Sequence, residues 1–328
     1  MATYYGTYGQ KVQYLASDPS DPQIGQVWYN STSATLKVRQ DVTTNSWGSG
    51  GNLNTARYFN AGMGAGTQTA ALVFGGFTTS GSQSASEKYD GTAWTNTPSL
   101  PSAVAAISGF GTQTAALGVG GTPAPGTTAV LSWNGSAWSP GTSMGTARYG
   151  ALSEGTQTAG LVFGSTYAND TVTEEWNGTS WSVGGSLNTT PVSGAGSAGT
   201  QTAALVFGGG GPPMLNRTES YNGTSWTTVP ATLNTSRGAH IGGAGLQTAA
   251  LAFGGDTNTF TATSATEIWN GTTWTSNPTG LSTPRSRLGG NGTQAAALAS
   301  GGFNNTTQVN ATEEWSGIVA TTKTVTVS

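Results

Sequence analysis

Histidine occurs once in this chain, at His240, and cysteine not at all, so the usual bases, nucleophiles and transition-metal ligands are nearly missing. A Ser-His-Asp arrangement, a His-rich metal site or a copper-radical centre would each need more than this. The acidic side chains form a series instead: Glu87, Glu174, Glu219, Glu267 and Glu313 each stand two residues before an aromatic. A second series, Arg57, Arg148, Arg237 and Arg285, runs beside it at the same spacing. One copy has Val104 and Leu131 in place of both charges. Another has Pro191 for the arginine but carries Arg217 two residues before Glu219. Charges lost together and regained together are what buried ion pairs require, because an unmatched buried partner costs about 3–5 kcal/mol. We therefore read Arg57–Glu87, Arg148–Glu174, Arg217–Glu219, Arg237–Glu267 and Arg285–Glu313 as structural pairs and find no separate carboxylate pair for glycoside hydrolysis. His240, just after Arg237, reads as a packed polar residue. No catalytic residue, metal site or cofactor is expected, and the chain reads as a non-enzyme.

What positions these side chains is a repeat. Gly-Thr-Gln-Thr-Ala or a close variant begins at Gly66, Gly111, Gly155, Gly199, Gly245 and Gly292, at spacings of 45, 44, 44, 46 and 47 residues. Each copy continues to an outer aromatic (Tyr89, Trp133, Trp176, Tyr221, Trp269, Trp315). In all but the last, a polar turn and a tryptophan follow, at Trp94, Trp138, Trp181, Trp226 and Trp274. Every unit reads as four short strands, and no window reads as a helix, since glycine and β-branched residues interrupt each candidate. Asn-Gly between the third and fourth strands predicts a two-residue hairpin turn with both central residues at positive φ. The same turns account for the sequons at Asn134, Asn177, Asn222 and Asn270. Asp90-Gly91-Thr92-Ala93-Trp94 is superficially like a sialidase Asp-box, but it occupies the same turn.

Four strands per 44–47 residues, repeated six times, is the signature of propeller blades. The Gly-Gly after the second strand, the aromatic before a polar turn and the tryptophan five residues on resemble the kelch repeat, as in Val206-Phe207-Gly208-Gly209 ahead of Tyr221-Asn222-Gly223-Thr224-Ser225-Trp226. That resemblance covers roughly 42–317 and implies an all-β, six-bladed propeller. The sixth copy lacks its second tryptophan, whereas an orphan Trp47 precedes the first, so the N-terminal segment is expected to supply the outer strand of the last blade. The alternative is a seventh blade made from 26–30, 35–39, Trp47 and 323–327.

Residues 1–41 stand outside the repeat and hold a predicted hairpin; 318–328 form a C-terminal strand or tail. The segment Gly25-Gln26-Val27-Trp28-Tyr29-Asn30, followed by Leu36-Lys37-Val38, resembles elements of tail-fibre and other virion structural proteins of tailed bacteriophages. The resemblance implies a virion protein, extracellular after host lysis, whose extension attaches to other virion proteins or forms a homo-oligomer. This agrees with the absence of a readable signal peptide. A net charge of −3 with 8% charged residues gives no footprint for nucleic acid, and no apolar run is long enough for membrane insertion.

Binding is expected on the loops between the Gly-Gly and the third strand (77–84, 122–128, 165–170, 210–216, 256–264 and 303–310), which vary most between copies. Phe77, Tyr167, Met214, Phe260 and Phe303 sit near their tips, among Asn, Thr and Ser that suit a cell-surface glycan. The readings held against adhesion are a glycosidase or lyase on the same fold and a purely structural decoration protein.

Overall fold

The computed structural model describes residues 12–20, 23, 25–59, 66–166, 171–190, 194–210, 213–258 and 260–325. Two compact units result: one from 1–45 with 316–328, the other from 46–315. Among the described residues there is no helix.

The larger unit is a β-propeller. Five sheets have four strands in chain order, each strand antiparallel to its neighbour; in blade 3 these are Leu152–Thr156, Ala159–Phe163, Thr173–Trp176 and Trp181–Val183. A sixth has Gly289–Gly292, Ala296–Ser300, the strand that begins at Thr312 and, outermost, the strand that ends at Ser49. The chain's first propeller strand therefore completes its last blade, as the orphan tryptophan predicts. Trp47 lies 4.8 Å from Phe253 and 5.4 Å from Trp315, centroid to centroid, and its indole N–H donates to Thr266 Oγ1 at 2.9 Å. Val27–Asn30 pairs with 35–38 inside the other unit.

Second strands such as Ala203–Phe207 are buried on both faces, which is why they read as unbroken apolar runs rather than alternating ones. The hairpins between third and fourth strands differ from the expected turn. Tyr89 faces Trp94, and Trp176 faces Trp181, so four residues intervene rather than two. Only the glycine takes positive φ (Gly91 at 91°, Gly178 at 94°). The preceding Asp or Asn keeps negative φ because its side chain satisfies the turn: Asn177 Oδ1 accepts from the N–H of Thr179 at 3.0 Å and of Ser180 at 2.9 Å.

The blades are tied together by the glutamine of Gly-Thr-Gln-Thr. Its amide reaches back into the preceding blade and donates to two carbonyls, as Gln157 does to Ala116 (3.2 Å) and Trp133 (2.7 Å). Gln68, Gln113, Gln201, Gln247 and Gln294 repeat the contact, so Gln68 joins blade 1 to blade 6 through Ala297 and Trp315. Where the outer aromatic is tryptophan, its indole donates to the same glutamine's carbonyl, as Trp176 does to Gln157 at 2.8 Å. Blades 1 and 4 carry tyrosine instead. Its hydroxyl donates to a glutamate of the preceding blade, Tyr89 to Glu314 at 2.5 Å and Tyr221 to Glu175.

In the smaller unit, Gln13–Leu15 runs parallel to Val27–Asn30, a strand the sequence did not announce. Asp18 organises it, accepting from Lys37 Nζ (2.6 Å), Asn30 Nδ2 (2.7 Å) and Trp28 Nε1 (3.0 Å). These bonds, Lys37 first, hold its carboxyl down to about 2.

Candidate binding face and axial recess

Every inner strand runs from the loop end of the propeller to the turn end, so each end gathers one segment from every blade. At the loop end lie the arginine pairs. Arg237 Nη2 is 3.1 Å from Glu267, Arg285 Nη2 is 2.9 Å from Glu313, and Arg217 Nη1 is 2.6 Å from Glu219; Arg57 bonds Glu87 directly. Arg148 stands at 4.0 Å from Glu174. The other guanidinium nitrogen holds the loop shut by donating to backbone at both its ends, Gly254 (3.1 Å) and Ala265 (2.6 Å) for Arg237. The glutamates in turn accept backbone N–H groups, Asn234 to Glu267 at 2.7 Å and Ser282 to Glu313 at 2.7 Å. Burial pulls Arg148, Arg237 and Arg285 down to about 10, still far above neutrality. In blade 2, Val104 is buried at the arginine position and Leu131 packs partly buried in the same cluster.

Two or three residues beyond each arginine position the chain turns in the left-handed region. Phe59, Ala106, Ala239, His240 and Arg287 have φ between 51° and 57°, and Gly150 and Gly194 occupy the equivalent places in blades 3 and 4. Backbone bonds run from one to the next: Phe59 N–H to Arg287 O (3.1 Å), Ala106 to Phe59 (3.1 Å), Gly150 to Ala106 (2.8 Å), His240 to Gly194 (2.7 Å) and Arg287 to Ala239 (3.0 Å). Bulky side chains in this conformation are uncommon, yet three of them meet here. Phe59 meets His240 edge-on at 4.8 Å, and the Arg287 guanidinium lies 5.4 Å from the Phe59 ring and 5.6 Å from the Phe303 ring. Asp256 faces Arg287 at 3.6 Å. Burial, and then the Arg287 charge, push the His240 imidazole down to about 4, so it is neutral at physiological pH.

The loop residues fall around this cluster in different states. Phe77 and Phe303 are half-buried and flank Tyr58 at 5.6 and 5.5 Å. Met214 is buried against Gly238 and presents no surface. Phe260 stands 60% exposed at its loop tip, and Tyr167 lies outside the described residues. Arg287, Phe59 and Asp256 were not singled out from sequence. Only the left-handed turn, which carries no local motif, brings residues so far apart in the chain together.

Toward the turn end the inner strands line a small recess open to solvent. Its wall is mostly glycine and alanine, with three polar side chains: Glu154, Ser197 and Asn291, all buried. Glycine is needed for the strands to close up; a Cβ on Gly243 would lie 2.0 Å from the Ser197 carbonyl oxygen. Burial pushes the Glu154 carboxyl up to about 8; Ser197, which faces it, pulls back slightly without completing a normally aligned hydrogen bond. A carboxyl in this state is a neutral donor at pH 7 and a charged ligand only when something compensates it. Glu154 too was missed from sequence, although it is the only charge among the residues preceding the repeat glycine in the five described copies (Phe110, Glu154, Ala198, Ala244, Asn291). Among the described residues no three His, Asp or Glu gather as a ready metal cluster.

No family model matches this chain, and no curated protein does. Among solved structures it is similar to the one titled "Structure of YjhT", with a TM-score of 0.68 and 11% identity over 82% of this chain and 99% of that one. That likeness shows the propeller fold.

Proposed function

We propose that this chain is a non-enzymatic virion structural protein of a tailed bacteriophage, a tail-fibre or surface-appendage subunit whose propeller adheres to a cell-surface glycan. The observation that carries the reading is how the side chains are divided. The repeat's charges are turned inward and hold loops shut, whereas Phe260 stands out among Thr and Asn on a loop anchored by them. An exposed ring beside hydroxyl and amide groups suits stacking on a sugar face with hydrogen bonds at its rim. The phage assignment rests on the resemblance of the Gly25–Asn30 segment. The extension offers Tyr14, 72% exposed and stacked on Tyr29, on an edge strand that other virion proteins or a second copy could extend. A glycan array with wild type, Phe260→Ala and Phe303→Ala tests adhesion: binding lost in the Phe260 variant supports it, and no binding by wild type favours a decoration role. Electron micrographs of particles labelled with an antibody to the chain test the virion assignment.

One observation favours a glycan-acting enzyme as the second reading, the buried acid Glu154 in an open recess. Release of product from an arrayed glycan, abolished in Glu154→Gln, would establish that reading.

A further inference from the structure

We propose that the Arg287 guanidinium, at the loop end of the propeller, receives the carboxylate of an acidic sugar. This rests on the adhesion reading above and names the class of glycan it would take. The arginines of the repeat set the contrast. Arg237 engages Gly254, Ala265, Ala252 and Glu267 through its Nη atoms, at 2.6–3.2 Å, and is buried. Arg285 is bound and buried in the same way. Arg287, two residues on, has a side chain 25% exposed, and among the described residues it donates one side-chain hydrogen bond, from Nη1 to Ser286 Oγ at 3.4 Å. Asp256 faces its Nη2 from 3.6 Å, beyond hydrogen-bonding distance. A guanidinium carries five N–H donors in one plane, so most of this fork is unused although partly withdrawn from water.

Three features favour a ligand over packing. The first is the backbone. Arg287 holds a φ of 55°, which strains a long side chain and suits glycine, and blades 3 and 4 place Gly150 and Gly194 there. The fold itself is served by glycine, so the arginine answers another need. The second is the surroundings. The guanidinium lies 5.4 Å from the Phe59 ring and 5.6 Å from the Phe303 ring, which fix its orientation and lower the local dielectric. The third is the loop beside it. Asp256 opens the loop that displays Phe260, and that loop is tied to both neighbours: Ala262 N–H donates to Asn305 Oδ1 at 2.8 Å, and Asn258 Oδ1 accepts from Met214 N–H. A sugar stacked on Phe260 would therefore lie on the same end of the propeller as the fork. A planar carboxylate can take two parallel N–H bonds from a guanidinium, which a hydroxyl cannot. Asp256 keeps one negative charge nearby, so a monoanionic carboxylate is better tolerated than a phosphate dianion.

The test prints uronate-bearing glycans, the same glycans with the carboxyl reduced to an alcohol, and phosphate-bearing and neutral glycans on one array, read with the full chain. Wild type should bind the uronates and lose about 10- to 100-fold in affinity on carboxyl reduction, the range expected for hydrogen bonds to a charged group. Arg287→Gln should show the same loss on the intact uronates, and Arg287→Lys should recover only part, since an ammonium keeps the charge without the fork. Arg287→Gly, which copies blades 3 and 4, should lose binding yet melt within a few degrees of wild type, separating recognition from folding. Binding that ignores carboxyl reduction, that persists in Arg287→Gln or that prefers phosphate overturns the proposal and leaves adhesion standing. No binding to any glycan removes both. Should Arg287→Gly fail to fold, Arg287→Lys and the reduced glycans decide.

Discussion

Buried carboxyl groups occur in two settings here. Within the blades, Glu87, Glu219, Glu267 and Glu313 each contact a buried arginine and backbone N–H groups of the incoming chain. In the axial recess, Glu154 has neither. The first setting repeats with the blades and survives replacement only as a unit, which marks it as architecture. The second occurs in one blade and carries its desolvation uncompensated, which marks it as a departure from architecture and the better place to look for chemistry. Blade 3 shows a middle case. Gly145 stands where other blades have Asn54, Asn188 or Asn234, and Glu174 and Arg148 sit farther apart, at 4.0 Å.

The sharpest way to break the paired setting is Arg237→Met, which strands Glu267 and should cost about 3–5 kcal/mol in urea denaturation. For the lone carboxyl the lever is pH. Its native pKa lies near 8 against an ordinary 4.5, so the folded state holds the proton over that interval and stability falls as pH rises through it. The loss should approach about 5 kcal/mol between the two limits, with that slope absent in Glu154→Gln. Arg148→Met should cost less than Arg237→Met, about 1–3 kcal/mol, because its pair is looser; equal costs would show that distance does not grade these pairs. Smallest of all should be the double variant Arg237→Val with Glu267→Leu, which copies blade 2 and should fall within about 1 kcal/mol of wild type, the cycle then giving the coupling energy.

Much of this was legible beforehand. Aligning the copies exposed the blades, the Arg and Glu series with the compensating Arg217, and Trp47 as the closing strand, since each leaves a mark at fixed spacing. The glutamine clamp was visible as a marker whose task was not, because its partners lie in another blade. The hairpin turns were misread because Asn-Gly also suits a longer loop in which the Asn side chain takes over one residue's share of the turn. The loop-end cluster was beyond reach: Phe59, His240 and Arg287 share no motif and meet only through left-handed backbone turns.

Trp47 and Trp315 share the last blade, and this sets a clock on biogenesis. The propeller's first strand must wait, with its blade-6 edge unpaired, until the strand that begins at Thr312 has been made. At about 5–20 residues per second, that wait lasts on the order of tens of seconds. Throughout it the nascent chain carries an open edge able to pair with a neighbouring copy. Crowded synthesis on one messenger should therefore favour exchange of this strand between chains, yielding linked rings from the same contacts that seal a single one.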